Sequence, residues 1–165
     1  MLLPVDDKRA PQSTSVPIIS PAGGKDMGLV YAEIELVSGD DLVLNRRGFL
    51  AEDRIKRVAV NALVDSGAYM LVINDHIKEQ LDLAVLEQRV ARLADDSERR
   101  VDVVGAIEIR FENRRTIANA IVFPGTAEVL LGSIPMEDLD VLIDPKHQRL
   151  IVNPENPNIP LTYVK

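Results

Sequence analysis

Cysteine and tryptophan are both absent from this chain of 165 residues, and tyrosine and phenylalanine number only three each. Without cysteine there is no thiol nucleophile, no thiolate metal site and no disulfide framework. The scarcity of aromatic rings also removes the stacking platform expected of a protein that binds single-stranded nucleic acid. Stability must therefore come from an apolar core, which one domain of this length can bury.

Positive charge is also in deficit, since the formal net charge is -7. The arginine pairs are dispersed among acidic residues, so we expect no nucleic-acid partner. No apolar run approaches the ~20 residues that span a bilayer. The amino terminus lacks the basic-then-apolar layout of a secretory signal, because Asp6 and Asp7 follow Leu2 and Leu3. We therefore expect no membrane partner and a cytoplasmic location.

Residues 1–26 differ in composition from the rest of the chain. They contain four prolines, a Ser/Thr cluster and Gly23-Gly24. Such a segment buries too little apolar surface to offset its ordering entropy, so an extended or disordered arm is predicted there. Residues 27–165 are predicted to form the single domain. Met27-Gly28 would suit a start, with the preceding residues an upstream extension, the result of a misassigned start, or an added leader.

Short strand-like segments dominate from Leu29 onward. Apolar and polar residues alternate from Val30 to Leu36 and again from Ile107 to Phe111, a period of two that buries one face of a sheet. Residues 57–64, 70–73 and 116–123 are further predicted strands. Residues 141–143 and 150–152 bracket a turn, and residues 90–93 and 101–104 suggest a β-hairpin. Many short strands of this kind predict an all-β fold with a closed or nearly closed β-barrel.

Helices are predicted to be few and short. Asn74 can cap a helix that runs through Leu81, and Pro135 suits the first position of a helix that ends at Leu139. The segment Ser38-Gly39-Asp40-Asp41 is predicted to be a turn. Gly105 lies where the strand alternation slips by one residue, which predicts a β-bulge.

The most informative motif is Asp65-Ser66-Gly67-Ala68, which directly follows the apolar residues 58–64. Taken alone, three turn-forming residues after a strand most simply indicate a turn. A second motif, Leu130-Leu131-Gly132 after Val129, follows downstream. Together and in this order, the two motifs resemble those of the retropepsin-like aspartic proteases, specifically the small single-domain cellular and bacterial relatives of the retroviral enzyme. The resemblance covers roughly residues 29 to 152.

The resemblance implies an acid-protease β-barrel with one or two short helices and an aspartic endopeptidase activity. Asp65 would be the catalytic residue, supported by Ser66, Gly67 and Ala68. Leu130, Leu131 and Gly132 would pack behind the active-site loop. One Asp-Ser-Gly per chain implies a homodimer in which each copy supplies one aspartate, and the substrate would be an extended peptide.

The predicted hairpin falls where this family has its flap, and the candidate flap residues are Asp95, Asp96, Ser97 and Glu98. Retropepsin flaps usually carry glycine at the tip, whereas this tip is charged and has none. A charge run is commonly a solvated turn. It could also narrow specificity towards charged peptides, or mark a dimer of the same fold that binds peptides without cleaving them.

Other chemistries have weaker support in the sequence. His76 and His147 are the only histidines, and their separation gives no local metal motif. The acidic pairs do not follow calcium-loop spacing, and no phosphate-cradling glycine loop or nucleophile elbow occurs. Asp144 is interpreted as a turn residue that could pair with Arg149. We therefore expect no metal and no cofactor.

Overall fold

The computed structural model describes residues 28–164. The predicted arm at residues 1–26 and the terminal Lys165 lie outside the described residues. Nine strands and three short α-helices make up the described part, together with one 3₁₀ turn at Glu52–Arg54. The strands are β1 Tyr31–Ser38, β2 Arg57–Val64, β3 Leu71–Asn74, β4 Ala84–Arg92, β5 Glu98–Phe111, β6 Arg114–Phe123, β7 Leu130–Leu131, β8 Val141–Asp144 and β9 Arg149–Val152. The helices are α1 Gly39–Arg46, α2 Asp75–Gln80 and α3 Ser133–Leu139.

Seven strands form one sheet in the order β1-β2-β7-β3-β6-β5-β4, and a further pairing joins β1 to β5. That extra pairing closes six strands into a ring of hydrogen bonds, and within the described residues β4 is attached only to β5. Strands β8 and β9 form a separate antiparallel pair. The predicted mostly-β architecture with few short helices is therefore confirmed.

The core lies inside this ring. Strands from all parts of the sheet contribute its largest fully buried apolar side chains. These include Ile34, Leu36, Leu71, Ile109 and Leu131. Alternation in β1 follows the sequence pattern, with Ala32, Ile34 and Leu36 buried. Burying a side chain of this size contributes about 1.5–3 kcal/mol, so a core shared by so many strands can offset the absence of disulfides and the scarcity of aromatic rings.

The segment predicted as a turn at residues 38–41 is instead the start of α1. Ser38 is its N-cap, and the Ser38 hydroxyl accepts a hydrogen bond from the Asp41 N–H at 3.2 Å. Serine and aspartate favour turns and helix caps alike, because in both their oxygens bind nearby backbone N–H groups. Asp41 is buried and accepts bonds from the Lys56 N–H at 2.8 Å and its ammonium at 3.3 Å. The turn prediction was wrong because this distant partner stabilises a helix that has little apolar periodicity.

Two boundaries also differ from the prediction. The hairpin extends well beyond residues 90–93 and 101–104, since β4 and β5 span Ala84–Arg92 and Glu98–Phe111. The predicted irregularity at Gly105 is confirmed by a shift in the β5–β6 register between Val104 and Ile107.

Within residues 28–164, no helix is both long and apolar enough to cross a lipid bilayer.

Candidate active site

Asp65 follows the last residue of β2 at the surface of the ring. Its N–H donates to the Leu131 carbonyl at 3.0 Å, which extends the β2–β7 ladder by one residue. The Ala68 N–H donates to the Asp65 carbonyl at 3.1 Å, and the Gly67 N–H donates to Asp65 Oδ1 at 2.9 Å. The carboxylate is half-buried, whereas Ser66 and Gly67 are exposed. The loop thus presents an oriented carboxylate at a surface that a second molecule could reach.

The site loop, which we define as residues 65–70, is held from behind by the segment that follows β7. The Ser133 N–H donates to the Ala68 carbonyl at 2.8 Å, and the Ile134 N–H donates to the Tyr69 carbonyl at 3.0 Å. These are donors of the first turn of α3, which have no partner inside their own helix. Helix α3 therefore begins at Ser133, two residues before the predicted start at Pro135.

Gly132 allows the closest approach in this arrangement. A Cβ atom at this position would lie 2.4 Å from the Met70 carbonyl oxygen and 2.7 Å from the Tyr69 backbone. Real Cβ atoms do not come so near to backbone atoms, so the glycine is required by the contact itself and not by an unusual φ angle. The Leu-Leu-Gly motif thus brings β7 and α3 directly against the site loop.

A row of side chains connects Asp65 to the β4–β5 hairpin. Residues paired across a ladder point to the same side of a sheet. The pairings run from Leu63 to Leu130, then to Val72, Ile121, Val103 and Glu87 in successive strands. Asp65 lies two residues beyond Leu63 and therefore on the same side. We call this side, with its apolar residues Leu63, Leu130, Val72, Ile121 and Val103, the Asp65 face.

The other side of the same strands forms the core. Val64 and Leu131 pair with each other, as do Leu71 and Ala120, and all four are buried in the main apolar cluster. The Asp65 face is the outer side of the ring at this position. Leu63, Leu130 and Ile121 are partly exposed on it, whereas Val72 and Val103 are buried. The face has the Asp65 carboxylate at one end and the charged hairpin at the other.

The hairpin reaches back to the site loop. We call residues 84–104 the flap hairpin. The Arg89 guanidinium Nη1 lies 3.7 Å from Met70 Sδ, and Arg89 also pairs with Glu87 at 2.7 Å. Arg89 therefore connects β4 to the end of the loop that carries Asp65.

The tip of the flap hairpin satisfies its own backbone. The Leu93 N–H donates to the Ser97 carbonyl and the Asp96 N–H to the Leu93 carbonyl, both at 2.9 Å. The Ser97 hydroxyl and N–H donate to Asp95 Oδ1 at 2.6 and 3.0 Å, and they hold the pKa of Asp95 below its ordinary value. Asp96 has a positive φ of 69°. Glu98 already belongs to β5 and pairs with Arg92 at 2.7 Å.

The structure thus brings Asp65, Ser66, Gly67 and Ala68 next to the Leu130–Gly132 motif. Leu131 and Gly132 are buried, whereas Leu130 is half-buried and lies on the Asp65 face itself. Asp95, Asp96 and Ser97 lie in the turn at the exposed far end of the flap hairpin.

Sequence reasoning missed Val72, Ile121, Val103 and Arg89 as parts of this region. Each was recognised at most as a strand residue, because Val72, Ile121 and Val103 come to share a side with Asp65 through pairings between strands that are distant in the sequence. The one local signal was the alternation of side chains along a strand, which places Val72 on the side of β3 opposite to Leu71 and Ile73.

The histidines lie away from this face. His76 is exposed on α2. His147 Nδ1 lies 2.8 Å from Asp144 Oδ2, and Arg149 Nε lies 3.5 Å from the same oxygen. His147, more than Arg149, holds the pKa of Asp144 below its ordinary value. The pairing of Asp144 with Arg149 is therefore present, and Asp144 lies at the end of β8, where the β8–β9 turn begins.

Among residues 28–164, no group of three or more His, Cys, Asp or Glu side chains could hold a metal ion.

Comparison with known proteins points to one family. A family model described as aspartyl protease, of the retropepsin-like type, matches residues 52–134, which is half of the chain. The matched range runs from the 3₁₀ turn before β2 to the start of α3. It therefore includes the site loop, the flap hairpin and the Leu130–Gly132 motif. No curated protein shows significant sequence similarity to the chain.

Proposed function

This chain belongs to the aspartyl protease family, and on that premise we propose that it is an aspartic endopeptidase that acts as a homodimer. The observation that carries the proposal is the presentation of Asp65. Its carboxylate lies at an accessible surface, in a loop held by β7 and α3, beside an apolar face continuous with the flap hairpin. Family membership gives the class of reaction, and this geometry supports Asp65 as the catalytic group.

The chemistry requires a second carboxylate. Two carboxylates a few ångströms apart share one proton, because both cannot ionise cheaply. One takes a proton from a bound water, and the other, protonated, polarises the carbonyl of the scissile peptide bond. The chain has one Asp-Ser-Gly, so we propose that Asp65 of a second copy completes the pair across a two-fold axis. Titration would then belong to the pair.

The neighbours of Asp65 have supporting roles in this proposal. The Gly67 N–H orients the carboxylate through its bond to Oδ1. Ser66 is exposed at the tip of the loop, where its hydroxyl can bond the opposing loop and hold the two aspartates level. Ala68 contributes its carbonyl to the bond with Ser133, so that it positions the loop without taking part in the reaction.

The proposed substrate is an extended peptide lying between the Asp65 face and the flap hairpin. Extended peptides commonly bind by adding a strand to an exposed edge, with alternate side chains entering pockets. Among the strands of residues 28–164, β4 pairs only with β5, which leaves its other edge available for such a peptide. The partly exposed apolar residues of the Asp65 face, Leu63, Leu130 and Ile121, would contact the side chains that flank the scissile bond.

The direct test is cleavage of an unfolded protein or a mixed peptide library between about pH 4 and 7, where a carboxylate pair can keep one shared proton. We expect Asp65→Asn to remove cleavage while leaving the melting temperature unchanged, because the asparagine oxygen can still accept the Gly67 N–H. Asp82→Asn is the matched control. Asp82 is exposed and has a left-handed φ of 50°, which asparagine tolerates. Cleavage that persists in Asp65→Asn would overturn the assignment of Asp65.

The dimer has its own test. Sedimentation over a range of concentrations should show a dimer under the conditions that give cleavage. Activity from a species that remains monomeric at every concentration would contradict the shared aspartate pair.

A second function is favoured by the flap tip. The N–H groups of Asp96 and Ser97 are bonded within the turn, and the tip has no glycine. The tip is therefore poorly suited to bond a substrate backbone on closing. The alternative is a dimer of the same fold that binds peptides or assembles partners without cleaving them. Absence of cleavage by a proven dimer, with retained peptide binding, would favour this alternative over the endopeptidase.

A further inference from the structure

The inner surface of the flap hairpin can be identified from the strand register. Val103 belongs to the Asp65 face, and Val101 is two positions away on the same strand and therefore points to the same side. Arg89 pairs with Val101, and Ala91 pairs with Arg99. Arg89 and Arg99 consequently share the side of the hairpin that faces along the proposed peptide path.

The Arg89 side chain is 54% exposed, so its guanidinium is accessible to a ligand where it meets the site loop. Glu87 Oε2 binds its Nε and Nη2 at 2.7 Å. Among residues 28–164, the hydrogen-bond acceptor for the remaining nitrogen, Nη1, is the Met70 thioether, at 3.7 Å. A thioether is a weak acceptor, so a carboxylate brought to this position would be a much better partner for the guanidinium.

Arg99 adds positive charge to the same side. No ion pair to its side chain occurs within residues 28–164, whereas Arg92 on the opposite side is neutralised by Glu98 at 2.7 Å. Two arginines and one glutamate give the inner surface of the hairpin a net charge of +1 in a protein whose formal net charge is -7. The rest of the Asp65 face is apolar, so this is the position where an oppositely charged substrate group would be recognised.

We infer that the protein selects peptides carrying an acidic side chain, which Arg89 and Arg99 bind at the flap end of the Asp65 face. This inference rests on the proposed function, because it places the peptide along that face. Apolar side chains would occupy the positions nearest the scissile bond, and a glutamate or aspartate further along would replace Met70 as the partner of Arg89 or pair with Arg99.

The experiment uses two peptides that differ only in glutamate against glutamine at one position, taken from the strongest cleavage site in a mixed library. They are compared at about pH 6, well above the ordinary pKa of glutamate. The wild type is expected to favour the glutamate peptide about fivefold in kcat/KM, the size of one partly exposed ion pair. The preference should fall in about 0.5 M salt because of screening.

The variants locate the effect. Arg89→Gln and Arg99→Gln together should bring the ratio close to one, and Arg99→Glu should shift the preference towards a lysine peptide. Arg100→Gln is the matched control, because Arg100 is the sequence neighbour of Arg99 but pairs with Val90 on the outer side. A glutamate preference that survives the double variant, or that Arg100→Gln removes, would overturn the inference.

The two proposals fail separately. Cleavage of both peptides at equal rates would refute the acidic preference and leave the endopeptidase intact. If the library shows no cleavage, a glutamate peptide from that library and its glutamine counterpart are compared by fluorescence anisotropy for binding to the wild type and to Arg89→Gln/Arg99→Gln. Tighter binding of the glutamate peptide to the wild type alone would support the inference without catalysis, and equal binding would overturn it.

Discussion

The site loop and the flap hairpin face each other but are built in opposite ways. The site loop receives backbone hydrogen bonds from two neighbouring segments, and a glycine lets one of them approach to contact distance. Strand β4 of the flap hairpin pairs with a single neighbour, and eight of its nine residues are exposed. The loop therefore has few alternative conformations, whereas the hairpin can move or change sequence at little cost to the core.

This difference separates two requirements of the proposed reaction. Acid–base chemistry needs carboxylates held in a fixed geometry, which the packing of β7 and α3 against the loop supplies. Entry and selection of a peptide need a surface that can open and whose side chains can vary. A hairpin with one free edge and charged side chains meets the second requirement.

The largest effect is expected from adding one methyl group beneath the site loop. Gly132→Ala would place a Cβ atom 2.4 Å from a backbone oxygen that cannot move aside without distorting the loop. Overpacking of this kind costs about 1–3 kcal/mol and sometimes more, so we expect a lower free energy of unfolding in urea and loss of cleavage.

Gly67→Ala is the comparison for this change. A Cβ atom at Gly67 would meet only Asp65 Oδ1, at 3.2 Å. It should therefore disturb the carboxylate more than the fold, with a smaller change in unfolding free energy. Equal destabilisation by the two substitutions would show that the site loop is not held by the close contact at Gly132.

Hydrogen exchange should resolve the two regions in the unmodified protein. The amides of Asp65, Ser133 and Ile134 are bonded across the loop and its support. The amides of β4 should exchange ~100-fold or more faster, because local opening of an edge strand requires less free energy than opening of the core. The amides of β1, which is paired on both sides, provide the slow reference. Similar exchange rates in β4 and the site loop would contradict the contrast between a firmly held loop and a more easily opened hairpin.

The smallest effect concerns the turn at the flap tip. The Ser97 hydroxyl, followed by its N–H, lowers the pKa of Asp95. Removing the hydroxyl in Ser97→Ala should therefore raise that pKa towards its ordinary value, which an NMR titration of the Asp95 carboxyl would detect. The carboxyl of the neighbouring Asp96 is the internal reference for this titration.

The pH dependence of the stability that this contact contributes follows from the direction of the Asp95 pKa shift. A carboxyl whose pKa is lowered in the folded state stabilises the fold above its ordinary pKa, and loses that contribution as the pH falls through the lowered value. The melting temperatures of the wild type and Ser97→Ala should thus differ slightly near neutral pH and converge in acid. A difference that grows in acid would show that Ser97 acts on the turn by another route.

Several elements were predictable because their signals are local. The alternation in β1, the asparagine cap of α2 and the slip at Gly105 were each visible within a few residues, and each is present in the structure. Helix α1 was not predictable in this way, since Ser38 and Asp41 suit a turn equally well until the bonds to Lys56 are known. The start of α3 was misplaced for the same reason, because its first donors bind a loop far away in the sequence.

The order of residues by itself determined the family, the mostly-β architecture and the two motifs around Asp65, because these depend on strand periodicity and on residue types that recur together. Only the tertiary structure decided that Val72, Ile121 and Val103 share a face with Asp65, and that Arg89 meets Met70 while Arg100 points away. Local sequence specifies which side of its own strand a residue occupies. The register between strands, which depends on packing of the whole ring, specifies which of those sides come together.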